Sequence, residues 1–163
     1  MPERNGAHSP VKFALIAIAA VANLVLADAV VKELSIGLLK GKASVTVLPG
    51  FFDLAYVENR GCAWGMLQGH VWPLAAFGIA ALVFLVWKRK SVFGDGIPAR
   101  IAEVLLYAGI VGNLIDRVCR GYVVDMFDFY WKTSHFPCFN LADAYISVAA
   151  GLMILCSFGK RTS

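Results

Sequence analysis

The chain is predicted to be a membrane α-helical protein: four transmembrane helices with a small extracytoplasmic β-sheet. Three observations predict it. Uncharged apolar runs recur at four places along the 163 residues. Charged residues make up only 16% of the chain, against about 25% in soluble domains, and the mean hydropathy is +0.68. Basic residues gather just beyond the apolar runs, as in Lys88-Arg89-Lys90. The length leaves no room for a second folded unit of ordinary size, so residues 1–163 are read as a single domain.

The elements follow in order. Residues 13–27 carry no charge, and the run continues past Asp28 to give a first span over about 12–31. Arg4, Lys12, this apolar core and Val25-Leu26-Ala27 also fit a cleavable signal peptide. Cleavage would leave three spans, so a retained helix is preferred. Residues 33–70 form the longest non-spanning stretch. Within it, 44–59 reads as two short strands about the turn Pro49-Gly50, lying on the membrane surface with aromatics at headgroup level. As the largest external element with a glycine turn, it is expected to move to admit and cover a substrate. The second span is 71–87, stopped by the basic triplet. The third is about 100–115, residues 116–138 are a second long loop, and the fourth span is 140–158, ended by Lys160 and Arg161.

An even number of spans puts both termini and the loop between spans two and three on one side. Eight basic residues lie there: Arg4, Lys12, Lys88, Arg89, Lys90, Arg100, Lys160 and Arg161. The other seven are spread over the two long loops, so density in short segments decides, and the triplet side is the cytoplasm. The net charge of +4 and pI near 9.0 do not indicate nucleic acid, because the basic residues form no single stripe with interleaved aromatics.

Cys62, Cys119, Cys138 and Cys156 form no C-x-x-C pair and no metal-ligand spacing. They read as small buried apolar residues, although Cys119 and Cys138 lie on one side and could pair. Ser134-His135 are chain neighbours and do not face each other as nucleophile and base would. G-x-S-x-G, H-E-x-x-H and a phosphate-binding glycine loop are all missing from the sequence.

The remaining polar residues are costly beside hydrocarbon. Asp28 and Lys32, four apart, read as a helix-end ion pair with Lys32 snorkelling to the interface. Asn140 and Asp143 have N-cap and N3 spacing. Asn113 can glue helices together, Asp116 and Arg117 can make a surface pair, and Asp128 reads as a solvated loop residue. Asp125 stands apart, set between Tyr122-Val123-Val124 and Met126-Phe127, where an apolar setting raises a carboxyl pKa. If Asp125 meets Asp143, one can hold a proton while the other is ionised, the arrangement that activates water for amide hydrolysis. Arg117, Asn113 and Asn140 would orient the carboxylates or the scissile carbonyl.

Five blocks then resemble the ordered motifs of bacterial lipoprotein signal peptidase: Asp28-Ala-Val-Val-Lys32, Asn59-Arg-Gly61-Cys-Ala-Trp-Gly65, Gly112-Asn-Leu-Ile-Asp-Arg117, Gly121-Tyr-Val-Val-Asp125 and Phe139-Asn-Leu-Ala-Asp143. Each is weak alone, but five in order from the first span to the fourth are highly specific. The resemblance implies an inner-membrane aspartic endopeptidase that cuts prolipoproteins before a diacylglyceryl-modified cysteine. It implies Asp125 and Asp143 as the catalytic dyad, with Asn59, Asn113, Arg117 and Asn140 lining the site. Asp28, Lys32 and Gly61 fall in supporting motifs. The implied partners are lipid-modified prolipoproteins and membrane lipids, with no nucleic acid, and a monomer is expected. No metal and no other cofactor is expected, because two carboxylates supply both acid and base. Trp64 replaces a common Phe, Cys62 is unusual in its motif, and Ala144 removes a hydroxyl often found beside the second aspartate. The rival readings are a small transporter or proton pathway, which would set polar groups at mid-bilayer, and a non-enzymatic assembly or lipid-binding factor, which would tolerate Asp→Asn changes.

Overall fold

The computed structural model describes residues 10–62 and 66–159. Trp64 and the flanking charges Arg4, Lys160 and Arg161 lie outside the described residues. The elements run α1 (Pro10–Leu39), β1 (Val45–Leu48), β2 (Phe52–Asn59), α2 (Val71–Trp87), α3 (Arg89–Val92), α4 (Ile97–Arg120), β3 (Val123–Trp131), β4 (Ser134–His135) and α5 (Leu141–Gly159). Two of these helices are long and apolar enough to cross a membrane by length and composition, over Val11–Leu39 and Leu141–Phe158. Large apolar side chains stand exposed along the helices, with Phe77 73% and Leu155 68% accessible. So much exposed apolar surface requires apolar surroundings.

α4 is the hub, packing on α1, α2 and α5. Its start suits this role: Gly96 takes the N-cap and Pro98 sits in the first turn, where its missing N–H costs nothing. Its packing face carries the small residues Ala99, Ala102, Ala108, Gly109 and Gly112, all buried. Backbones therefore approach closely. A Cβ on Gly109 would lie 2.5 Å from the Ala142 carbonyl oxygen, and one on Gly112 would lie 2.7 Å from Asp28 Oδ2. At the end of α4 away from the sheet, Arg89 clasps Glu103 through two hydrogen bonds of 2.5 and 2.8 Å. The Arg100 guanidinium lies 3.7 Å from the Phe13 ring centre there, so α1 and α4 begin at the same end.

The other end carries a four-stranded sheet in the order β1-β2-β3-β4, all antiparallel neighbours. The two strands about Pro49-Gly50 are as expected. The stretch 116–138, expected as a loop, is not one: α4 continues to Arg120, and β3 and β4 follow. Gly121 makes the break, with φ +76°, its N–H donating to the Arg117 carbonyl at 3.2 Å. α1 likewise runs on to Leu39, past the expected end near residue 31. Both extensions escape a hydropathy reading because Lys32, Asp116 and Arg117 are charged yet turn into the protein. The Met126 and Phe127 amides donate to the Phe139 carbonyl at 3.0 and 2.9 Å, and the Phe139 amide returns to Phe127 at 3.2 Å. These three bonds pin the chain entering α5 alongside β3.

Candidate active site

Asn140 caps α5. Its Oδ1 accepts from the Asp143 amide at 2.9 Å, while Asp143 Oδ2 accepts from the Asn140 amide at 3.4 Å. The cap reading of this pair is right, and the reciprocal bonds also fix the Asp143 rotamer. The Asn140 Nδ2 group donates to Asp125 Oδ1 at 2.7 Å, to Asn113 Oδ1 at 3.1 Å and to the Val124 carbonyl at 3.3 Å. Asn113 Nδ2 donates to Asp143 Oδ1 at 2.7 Å. Asn59 Nδ2 donates to Asp125 Oδ2 at 3.0 Å. Two asparagines thus hold Asp125 and a third, Asn113, holds Asp143, with Asn140 in contact with both carboxylates.

The two carboxylates have unlike surroundings. Asp125 is 1% exposed, in the inward-facing half of β3. Burial pushes its pKa up to about 7, and the neighbouring charge of Asp143 adds to the rise, against the hydrogen bonds from Asn59 and Asn140. Asp143 faces a groove of about 1060 Å³ between α2, α4 and α5. Leu74, Phe77, Ile110, Leu114 and Ile146 make its apolar wall, and Asn59, Asn113, Arg117 and Asp143 its polar end. A carboxyl that titrates near neutrality, as at Asp125, suits a group that gives and takes a proton beside a second carboxyl.

Gly61 joins this end of the groove to the loop after β2. Its N–H donates to Asn59 Oδ1 at 2.9 Å, and its carbonyl accepts from Arg117 Nη2 at 3.1 Å. A Cβ at this position would run into the Met66 carbonyl. All nine residues singled out in the sequence therefore converge at the sheet end of α4.

Several pairings differ from expectation. Lys32 does not snorkel. It is 1% exposed, with Nζ 2.7 Å from Asp28 Oδ2 and 3.0 Å from Asp116 Oδ2. Asp116 makes no surface pair with Arg117. It is buried, bonding Arg120 at 2.9 Å and accepting the Val124 amide at 3.1 Å. Asp116 was missed as a site residue, though continuing the helix places 113, 116, 117 and 120 on one face. Asp128 lies on β3 with His135 Nδ1 at 2.9 Å. All four cysteines are free thiols, so Cys119 and Cys138 are unpaired. None is fully buried, and Cys119 is exposed. Cys138 borders the groove, where burial pushes its pKa up to about 12 and keeps it a poor nucleophile. Ala144 also lines the groove.

Residues 18–159 match the family described as Signal peptidase (SPase) II. A lipoprotein signal peptidase from Syntrophotalea carbinolica is 41% identical over 139 residues, covering 83% of this chain and 86% of that protein. One from Shewanella loihica is 43% identical over 139 residues, covering 82% and 80%. A bacterial membrane enzyme solved by the in meso method at 2.3 Å superposes with a TM-score of 0.75 at 31% identity, covering 91% of this chain and 90% of that one. A second, at 1.9 Å, gives 0.74 at 30% identity, covering 86% and 91%. The chain is an integral membrane protein that belongs to the signal peptidase II family.

Proposed function

We propose that this chain is the endopeptidase that removes the signal peptide from diacylglyceryl-modified prolipoproteins, with Asp125 and Asp143 as its catalytic pair. The observation that carries the reading is the contact of one asparagine, Asn140, with both carboxylates at the polar end of an apolar groove. The Asp143 carboxylate takes a proton from water, and the resulting hydroxide adds to the scissile carbonyl carbon. Asp125 gives its proton to the carbonyl oxygen. The tetrahedral intermediate then collapses: the carbonyl oxygen returns a proton to Asp125, and Asp143 passes its proton to the departing amine. Arg117, held by the Gly61 carbonyl, places positive charge beside the developing oxyanion.

The groove suits acyl chains, which places the peptide bond next to the anchored cysteine at its polar end. All four long helices cross the bilayer, and α2, at 17 residues, lies at the lower limit of about 17–25. The enzyme is a single-domain, monomeric, multi-pass protein of the bacterial inner membrane. Both termini are cytoplasmic, and the sheet and carboxylates lie at the outer face beside membrane lipids.

The test is a gel-shift assay on detergent-purified protein with a diacylglyceryl-modified prolipoprotein and its unlipidated form. Cleavage of the lipidated form alone, lost in Asp125→Asn and in Asp143→Asn, is expected. Near-normal turnover by either variant overturns the dyad, and no cleavage by folded wild type overturns the activity.

A further inference from the structure

The family reading leaves several buried charges without a role in the reaction, Lys32 among them. Lys32 lies on α1, away from the groove lining, yet its Nζ has three partners: Asp28 Oδ2 at 2.7 Å, Asp116 Oδ2 at 3.0 Å and Asn113 Oδ1 at 3.3 Å. An ammonium has three donors, so all are used. The third partner is the informative one. A buried lysine needs carboxylates for charge balance, and Asp28 and Asp116 already supply two. The bond to Asn113 instead settles which end of that amide faces inward. With Oδ1 turned to Lys32 and to Asn140 Nδ2, the Asn113 Nδ2 group is left to face Asp143 Oδ1. A flipped amide would set two oxygens against each other at Asp143 and would face a second donor towards Lys32.

We propose that Lys32 is a positioning residue for the peptidase reaction: through Asn113 it fixes the orientation of the amides that hold Asp143 and, by way of Asn140, Asp125. The inference rests on the dyad reading above. Lys32 touches no reacting atom, so it acts through the asparagines and through its charge. Its counter-charges are held in their own networks. Asp28 Oδ1 accepts the Ala142 amide at 3.0 Å, beside the Asn140 cap. Asp116 is shared with Arg120, which continues to Glu33. The charged and titratable groups acting with Asp125 are Asp143 from α5, Arg117 from α4, Lys32 from α1 and Cys138 just before α5, and the Lys32 charge works to lower its pKa.

The measurement is kcat and KM for the lipidated substrate across pH, with thermal unfolding of each variant in detergent. Asp28→Asn/Lys32→Met keeps the net charge of the group and the acceptor for Ala142, and removes the bond to Asn113. Its kcat should fall by roughly 10²-fold with little change in KM, as for a small misplacement of catalytic groups. The alkaline limb of its kcat profile should move up, because the Lys32 charge that works to lower the Asp125 pKa has gone, and the Asp28 charge removed with it is not among those acting on Asp125. Asp116→Asn removes a counter-charge of Lys32 but retains its bond to Asn113, so its kcat should stay within a few-fold of wild type and its limb should not rise. A limb raised in the double variant alone is not produced by loss of stability. A fall of ten-fold or more in the kcat of folded Asp116→Asn, which decides the matter even if the double variant does not fold, reduces Lys32 to a structural cation. Asp143→Asn is the separate control: cleavage there overturns the dyad itself, whereas its inactivity beside such a fall overturns only the role of Lys32.

Discussion

Asp125 gives the molecule a pH dependence whose sign follows from its burial. Its carboxyl titrates at about 7 in the folded protein and near 3.8 when unfolded. Between these values the folded state holds a proton that the unfolded state has lost, so stability falls as pH rises from about 4 to 7. The full shift corresponds to roughly 4 kcal/mol. Asp125→Asn should therefore melt higher than wild type at pH 8, with the difference shrinking towards pH 4, as measured by thermal unfolding in detergent. Activity should decline above about pH 7 as the shared proton is lost, and a flat wild-type profile to pH 9 would count against this assignment. Asp125 could be singled out in the sequence because its immediate neighbours are apolar. The partners of Lys32 could not. Asp116 and Asn113 are more than eighty residues away, and no local pattern separates a lysine buried between two aspartates from one that reaches for the interface.

At the scale of the element, close backbone approach is the main device. Gly109→Ala places a methyl group 2.5 Å from the Ala142 carbonyl and 2.6 Å from the Ile146 side chain. The backbone cannot swing aside as a side-chain tip can. The variant should lose about 1–3 kcal/mol, read from its unfolding midpoint. Gly61→Ala should act differently. The clash with the Met66 carbonyl displaces the loop that orders Asn59 and Arg117, so kcat/KM should drop about 10²-fold while the melting temperature stays close to wild type. The apolar helices could be read from sequence because lipid-facing hydrophobicity is a local signal. β3 could not, since Val-Val-Asp-Met-Phe-Asp-Phe shows no alternation: four successive residues are buried, covered on both faces. The last turn of α4 was hidden for a related reason. Asp116, Arg117 and Arg120 look like a helix end to a hydropathy scale, although they pair inward.

For the whole molecule, the proposed topology has a direct readout. Cys119 is exposed near the sheet end of α4, whereas Cys156 lies near the far end of α5. In intact spheroplasts a membrane-impermeant maleimide should label a variant retaining only Cys119 and leave one retaining only Cys156 unlabelled. The reverse pattern would invert the protein in the bilayer. The order of the four long helices along the chain could be anticipated from apolar runs. Which side chains meet could not, because the site draws on α1, β2, α4, β3 and α5 and depends on how those five pieces dock.

The three hydrogen bonds between Phe139 and β3 have a consequence in time. Asp125 is translated before Asp143, and until α5 enters the bilayer and draws Phe139 against the sheet, it has neither Asn140 nor a second carboxylate beside it. On the proposed dyad, a chain halted after residue 138 would carry most of the groove and no chemistry. The protease then comes into being only once α5 is in place, and a nascent copy cannot cut anything in the membrane that is still assembling it.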